Sequence, residues 1–146
     1  METKAAVSGN AKIPVLIVGA GPVGLALAAE LGRLGIGCLL VEQGDGTFNH
    51  PRASELNART MEFCRRWGIA DKVRAAGTPP EFPNAALFVT SYSGFELARI
   101  TRPGHAEDRA FPNGPERPKR CNQLWFDPIL AEYVAGRPSV SRRMNC

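Results

Sequence analysis

Apolar positions along this chain recur with two different periods. Pro14-Val15-Leu16-Ile17-Val18 is a short run rich in β-branched residues and without a polar member, the pattern of a strand covered on both faces. A glycine-rich turn follows over 19–24. Val23, Leu27, Leu31 and Leu34 then recur at three- and four-residue spacing. That spacing predicts a helix over 22–34 with these residues on its inner face, ended by Gly35. Cys38-Leu39-Leu40-Val41 is a second buried strand, closed by Glu42. Strand, helix and strand within about 30 residues make one right-handed βαβ unit.

The pattern beyond this unit is less regular. Residues 43–52 read as a polar loop. Helix resumes near Leu56, with Leu56, Met61, Phe63, Cys64 and Trp67 as its apolar surface before Gly68, and a further helical turn runs over 69–76. Thr78-Pro79-Pro80 breaks it. Leu87-Phe88-Val89, a Ser93-Gly94 turn and the run from Phe95 to Ile100 predict a hairpin. Residues 102–120, rich in proline, read as an irregular connection. A last helix spans 124–135, with Pro128 expected in its first turn, where a missing N–H has no partner anyway, and Gly136 stopping it. Val140 has the character of a strand start. The fold class is therefore α/β: an N-terminal Rossmann-like βαβ unit plus a hairpin, incomplete as a domain. The divisions are a flexible tail over 1–11, the βαβ unit and following helices over 12–84, the hairpin over 85–103, the irregular connection over 104–122, and a return helix with a truncated end over 123–146. No internal repeat is present.

Composition narrows the classes. With 146 residues, 44% hydrophobic and 22% charged, the chain is globular rather than disordered or collagenous, and one domain with the start of another is its ceiling. Eighteen bases against 14 acids leave a net charge of +4. The bases are scattered apart from Arg137, Arg142 and Arg143, so they read as a solvated surface and not as a nucleic-acid footprint. Cys38, Cys64, Cys121 and Cys146 have no zinc-like pairing, and His50 and His105 stand alone in loops, so no metal site is expected. Reduced thiols fit a cytoplasmic protein. The uncharged stretch from Ile13 to Ala29 follows Lys4 and Lys12 and could imitate a signal peptide or a membrane span. Pro14, Gly19, Gly21, Pro22 and Gly24 interrupt it, and the strand–helix pattern runs straight through its end, so neither is expected.

The chemistry lies in Gly19-Ala20-Gly21-Pro22-Val23-Gly24. Gly19 allows a tight exit from the first strand. Gly21, without a side chain, lets a pyrophosphate approach the backbone. Gly24, with Ala28, lets the helix sit close to the sheet. The pyrophosphate then rests on free N–H groups at the helix N-terminus, and Pro22 is harmless in that opening position. The motif alone is weak. Here it follows a strand, opens a helix, and is followed by a second strand ending in Glu42. That carboxylate can accept hydrogen bonds from adenosine ribose hydroxyls. It would repel a 2′-phosphate, for which Gln43 offers no cation, so FAD or NAD is favoured over NADP.

With these residues go Pro51-Arg52-Ala53, Arg59-Thr60-Met61-Glu62, Trp67-Gly68-Ile69, Cys121-Asn122-Gln123 and Pro128-Ile129-Leu130. In their order and spacing, from Lys12 to about Val140, the chain resembles the N-terminal third of the FAD-dependent aromatic hydroxylases, the single-component monooxygenases similar to p-hydroxybenzoate and phenol hydroxylases. The resemblance implies that residues 19–24 and Glu42, with Gln43 beside it, hold the ADP part of FAD. It implies that Arg52 reaches the cofactor from the loop after the second strand, as suits a guanidinium near phosphate and polar flavin edges, and that Gln123 hydrogen-bonds it from the start of the last helix. The hairpin resembles the first strands of the family's substrate-binding sheet. Glu62 reads as a solvent-facing or helix-pairing residue, and Trp67 and Trp125 as packing residues. In this family NAD(P)H is the transient electron donor, and one oxygen of O2 is placed on an aromatic ring. The partner implied is thus a small aromatic substrate, with no nucleic acid and no membrane. Chemistry of this kind resides in the cofactor, and no catalytic acid or base is named.

The departures are as informative. The family's second FAD signature, a Gly-Asp pair with a following His and Pro, does not occur in these 146 residues, and Ser141 to Cys146 do not resemble the family. The expectation is a truncated product: the FAD-binding portion of a monooxygenase, not catalytically complete by itself. The rivals are a non-catalytic fragment that binds nucleotide weakly or not at all, and another FAD- or NAD-dependent oxidoreductase with the same βαβ start. Pro51-Arg52-Ala53 and Gln123 speak against the last.

Overall fold

A computed structural model of the chain describes residues 12–47, 50, 52–79, 82, 85–101 and 114–146. The tail over 1–11, Pro51, Pro80, His105 and most of the irregular connection lie outside the described residues.

The centre is a three-stranded parallel sheet of β1 (Val15–Val18), β2 (Cys38–Val41) and β7 (Val140–Arg143), in the order β1-β2-β7. Val15 to Val18 pair with Cys38 to Val41, and these pair in turn with Val140 to Arg143. Helix α1 (Pro22–Arg33) makes the first crossover, and α4 (Gln123–Ala135) leads into β7 and packs on α1. The expected βαβ unit is therefore present, and Val140 does begin a strand. Ser141 and Arg142 hide that strand from a hydrophobic scan, because an outer strand is held by its backbone and tolerates polar side chains.

Two burial expectations fail. β1 is covered on one face only: Ile17 is buried, while Leu16 is 62% and Val18 80% exposed. Helix α1 turns a different face inward. It buries Leu25, Ala28 and Ala29, while Val23, Leu27 and Leu34 are exposed. The large residues mark the regular stripe, but close approach of α4 and the sheet selects the small ones. Close approach also shows at Gly32, where an added Cβ would lie 2.8 Å from the Arg137 side chain. The end of α1 is as expected. Gly35 has φ +72°, its N–H donates to Gly32 C=O, and the Ile36 N–H donates to Leu31 C=O at 2.9 Å.

Leu56 does not begin a helix. Glu55–Leu56 form β3, antiparallel to β6 (Lys119–Arg120), and α2 (Ala58–Arg66) starts after Asn57, whose side chain accepts from the Thr60 N–H at 2.8 Å. A second short helix, α3 (Ala70–Ala76), follows. Trp67 packs as expected: its ring lies against Phe63 and Tyr133, and its Nε1–H donates to Glu30 on α1 at 2.8 Å. Trp125, by contrast, is 51% exposed on α4. Pro128 is not in the first turn of α4; it stands inside the helix, on the exposed side. The hairpin forms from β4 (Ala85–Val89) and β5 (Glu96–Thr101), as a separate two-stranded sheet whose residues from Leu87 onward are exposed.

Candidate functional site

The glycine turn joins β1 to α1 beside the C-terminal end of β2. Gly19 has φ +100°, a conformation that suits glycine, and its N–H donates to Val41 C=O at 2.8 Å, holding the turn against β2. Gly24 lies so close to the turn that an added Cβ would sit 1.9 Å from the Gly19 carbonyl oxygen. Gly21 differs from both. It is the N-cap of α1 with φ −71°, a backbone open to any residue, and an added Cβ would meet nothing within 4 Å. Nothing among the described residues requires a glycine there. The space beside the Gly21 backbone is open to a group from outside the chain.

The start of α1 supplies what such a group needs if it is an anion. Pro22 occupies the first helical position and has no N–H. The first intrahelical bond is from Leu25 N–H to Gly21 C=O, at 2.9 Å. Helix geometry leaves the Val23 and Gly24 N–H groups without intrahelical acceptors. No side chain caps this end and no acidic residue lies in the first turn, so the positive end of the helix dipole is uncompensated.

Glu42 faces this turn. Its Oε2 accepts from the Ala20 N–H at 2.6 Å and its Oε1 from the Gly44 N–H at 3.0 Å. These bonds, first that from Ala20, hold its carboxyl below the usual carboxylate range, so it is an anion at neutral pH. A carboxylate has about four acceptor positions, more than these amides fill, which leaves room for a ribose hydroxyl. Ala20 is itself buried, with its N–H engaged by Glu42. Gln43 is exposed in the following turn, and its backbone N–H also leans on the Glu42 carboxylate.

Arg52 and Gln123, 71 positions apart, are brought together. Gln123 opens α4 and is only 6% exposed. Its Oε1 accepts from the Arg52 N–H at 2.9 Å, and its own backbone N–H donates to Ala53 C=O at 3.0 Å. The amide of Gln123 is thus engaged inside the protein, and the Arg52 side chain is left exposed. Sequence reasoning missed the next residue in line. Gln123 Nε2 donates to Asp127 Oδ2 at 2.9 Å, and Asp127 is 1% exposed. Burial pushes the Asp127 carboxyl up, and the bond from Gln123 works against that. The four-residue spacing from Gln123 to Asp127 was the available signal. Glu62 pairs with Arg59 at 2.7 Å, as a helix pair should.

Between the start of α1, the segment after Arg52, α2 and the start of α4 lies a cavity of about 300 Å³. Its lining is apolar, with Pro22, Val23 and Ala26 on one side and Phe63, Trp67 and Phe126 on others. Ala53 and Gln123 also reach it, so the glycine turn and the distant Gln123 open onto the same space.

A protein-family model described as FAD binding domain matches residues 12–145. The chain belongs to this family. Its match runs to within one residue of the C-terminus and includes β7, which corrects the expectation that Ser141 to Cys146 depart from the family. The chain is 36% identical over 127 residues to a phenol 2-monooxygenase of Pseudomonas sp. (strain EST1001), an alignment covering 84% of this chain and 21% of that protein. Among solved structures it is similar to the rebeccamycin biosynthetic enzyme RebC with reduced flavin, with 46% identity and a TM-score of 0.77 over 88% of this chain and 24% of that one. It is likewise similar to the flavin-dependent monooxygenase PieE in complex with FAD and substrate, with 35% identity and a TM-score of 0.76 over 93% of this chain and 24% of that one. The recognised likeness to the FAD-dependent aromatic hydroxylases therefore holds, and FAD is the cofactor of this domain family. The chain spans about a fifth to a quarter of the length of these relatives. Among the described residues, no helix is long and apolar enough to cross a membrane.

Proposed function

We propose that this chain is the part of a flavin-dependent monooxygenase that grips the ADP end of FAD, in a protein that hydroxylates a small aromatic substrate with NAD(P)H and O2. The observation that carries the reading is Gly21: an N-cap with an ordinary backbone and open space where its Cβ would be, on an uncapped helix start. In this reading the Val23 and Gly24 N–H groups bind the pyrophosphate of FAD, with Gly19 and Pro22 shaping the turn. Glu42, fixed through Ala20 and flanked by Gln43, accepts from the adenosine ribose. Arg52 contributes its exposed guanidinium, and Gln123 sets the position of the Arg52 segment. Bound FAD would supply the redox and oxygen chemistry, while the protein supplies placement. No residue of this chain is assigned as an acid or base. The four free cysteines suit a reducing, cytoplasmic setting.

Titration of the chain with FAD, followed by flavin fluorescence and the visible spectrum, tests the grip. Saturable binding that is lost in Gly21→Trp and Glu42→Arg is expected; no binding by a chain that circular dichroism shows to be folded rejects it. A chimera tests the activity. Residues 12–145 replace the matching segment of the Pseudomonas phenol 2-monooxygenase, and phenol-stimulated NAD(P)H oxidation is measured. A folded chimera that purifies without FAD and does not respond to phenol rejects the proposal.

A further inference from the structure

Among the described residues the most buried polar side chain is Asp127, and the hydrogen bonds around it run in one direction. The Arg52 N–H can only donate, so the Gln123 amide must turn its Oε1 toward it. That orientation fixes Nε2 on the other side, where it needs an acceptor. Asp127 Oδ2 is that acceptor, 2.9 Å away and one helical turn on. The surroundings offer the carboxylate little else: Asp127 Oδ1 is buried and has no partner among the described residues. A carboxyl group 1% exposed and half satisfied is a costly feature for a helix interior. A hydrophobic residue of similar size would pack there without that cost.

We propose that Asp127 is a positioning residue for the cofactor site: by holding the Gln123 amide in one orientation, it clamps the Arg52–Ala53 segment against the start of α4. The clamp has two rungs, the Arg52 N–H on Gln123 Oε1 and the Gln123 N–H on Ala53 C=O. Only the first depends on which way the amide faces. Without an acceptor at position 127 only the Arg52 N–H holds the amide's orientation, and whenever the amide turns it presents its NH2 to that N–H, donor against donor. The segment is then held by the second rung alone, and Ala53, which lines the apolar cavity, and the exposed Arg52 beside it lose their fixed position. The link to the cofactor rests on the FAD reading above; the clamp itself does not.

Amide hydrogen exchange in chain 1–146, read residue by residue by NMR, separates the two. Asp127→Leu removes the acceptor and puts an apolar, helix-favouring side chain of similar size in its place, and Asp127→Asn keeps an acceptor in the same place. In Asp127→Leu the Arg52 amide is expected to exchange about tenfold faster or more, while the Leu25 amide in α1 keeps its protection. Asp127→Asn is expected to restore the slow Arg52 exchange. Gln123→Leu must release the Arg52 amide to the same extent, and the double variant must release it no further, because the two residues act in series. If Asp127→Leu lowers protection throughout the chain, Asp127→Ala and Gln123→Leu decide by the same comparison of Arg52 with Leu25. Unchanged Arg52 exchange in the folded variants overturns the clamp, as does equal loss at Arg52 and Leu25 in all of them. FAD affinity is then measured on the same samples. Weaker binding in Asp127→Leu with recovery in Asp127→Asn supports the clamp's role in the site. Faster Arg52 exchange with unaltered FAD affinity leaves the clamp standing and removes Arg52 from the cofactor contacts.

Discussion

Gly21 and Gly24 sit three positions apart and are glycines for opposite reasons. At Gly24 the chain itself forbids a side chain, since a Cβ would collide with the Gly19 carbonyl. Gly24→Ala should therefore destabilise the fold by about 1–3 kcal/mol, the range for an overpacked interior, as read by urea denaturation. At Gly21 the chain permits a side chain. Serine there is a good N-cap and would satisfy an N–H of the first turn. Gly21→Ser should raise stability by a few tenths of a kcal/mol while weakening FAD binding about tenfold or more, because its hydroxyl competes for the groups that a phosphate would use. A Gly21→Ser chain that binds FAD as tightly as the parent would remove the pyrophosphate from this turn. Glu30 carries the acid sensitivity at this scale. Its bonds from Arg33 and then from the Trp67 indole hold its carboxyl down from 4.5 to about 2. A group depressed in the folded state contributes stability above its unfolded value and loses it as pH falls to the folded one. The stability difference between the parent and Glu30→Gln should thus be full above about pH 4.5 and vanish near pH 2. Trp67→Phe, which removes one of the donors, should cost about 1 kcal/mol at neutral pH and shift the Glu30 titration upward.

The elements differ in how plainly the sequence announced them. β1, α1, β2 and the hairpin were legible because each is a run long enough for its period to show. The turn between β1 and α1 was legible because backbone conformation and ligand approach restrict residue type directly. β3 and β6 were not legible: each is two residues long, and Glu55-Leu56 and Lys119-Arg120 are paired by backbone bonds that leave no mark on hydrophobicity. The inward face of α1 was misread for a related reason. Val23, Leu27, Leu31 and Leu34 form the regular stripe, but the helix packs through Ala28 and Ala29, and small residues carry little weight in such a pattern. α4 holds the remaining error. Pro128 lies beyond the first turn, so the Leu124 carbonyl has no N–H to receive from position 128. Pro128 is exposed, and alanine there would restore that donor without entering the core. Pro128→Ala should raise stability by about 1 kcal/mol or more, less than the full helix penalty of proline because the unfolded chain also gains freedom. A lower urea midpoint for Pro128→Ala would mean that the proline shapes a bend that the packing of α4 on α1 requires.

At the scale of the molecule, the sheet has β2 at its centre and a core on one side. α1 and α4 cover the face that carries Ile17 and Leu40, both buried, whereas the opposite face of β1 presents Leu16 and Val18 to solvent. The sequence pattern could not reveal this. A run without polar residues says that both faces suit burial, and whether both are buried depends on what else packs against the sheet. The hairpin adds to the same surface character, with Phe88, Phe95, Leu97 and Ile100 all more than half exposed. A two-stranded sheet is marginal by itself, and an outer strand such as β1, with apolar side chains beside it, is a template for pairing. Exposed apolar surface of this kind drives association unless something covers it. The chain 1–146 on its own is therefore expected to self-associate with rising concentration in sedimentation velocity. Leu16→Thr with Val18→Thr should shift that equilibrium toward monomer while leaving FAD binding intact, because both side chains point away from α1 and the glycine turn follows them through its backbone. Threonine keeps the β-branched shape that the strand favours, so the parallel register with Cys38 to Val41 should survive. If the double variant associates as strongly as the parent, β1 is not the contact. The same measurement on Phe88→Thr with Ile100→Thr would then decide whether the hairpin is, since Phe88 and Ile100 lie on one face of it.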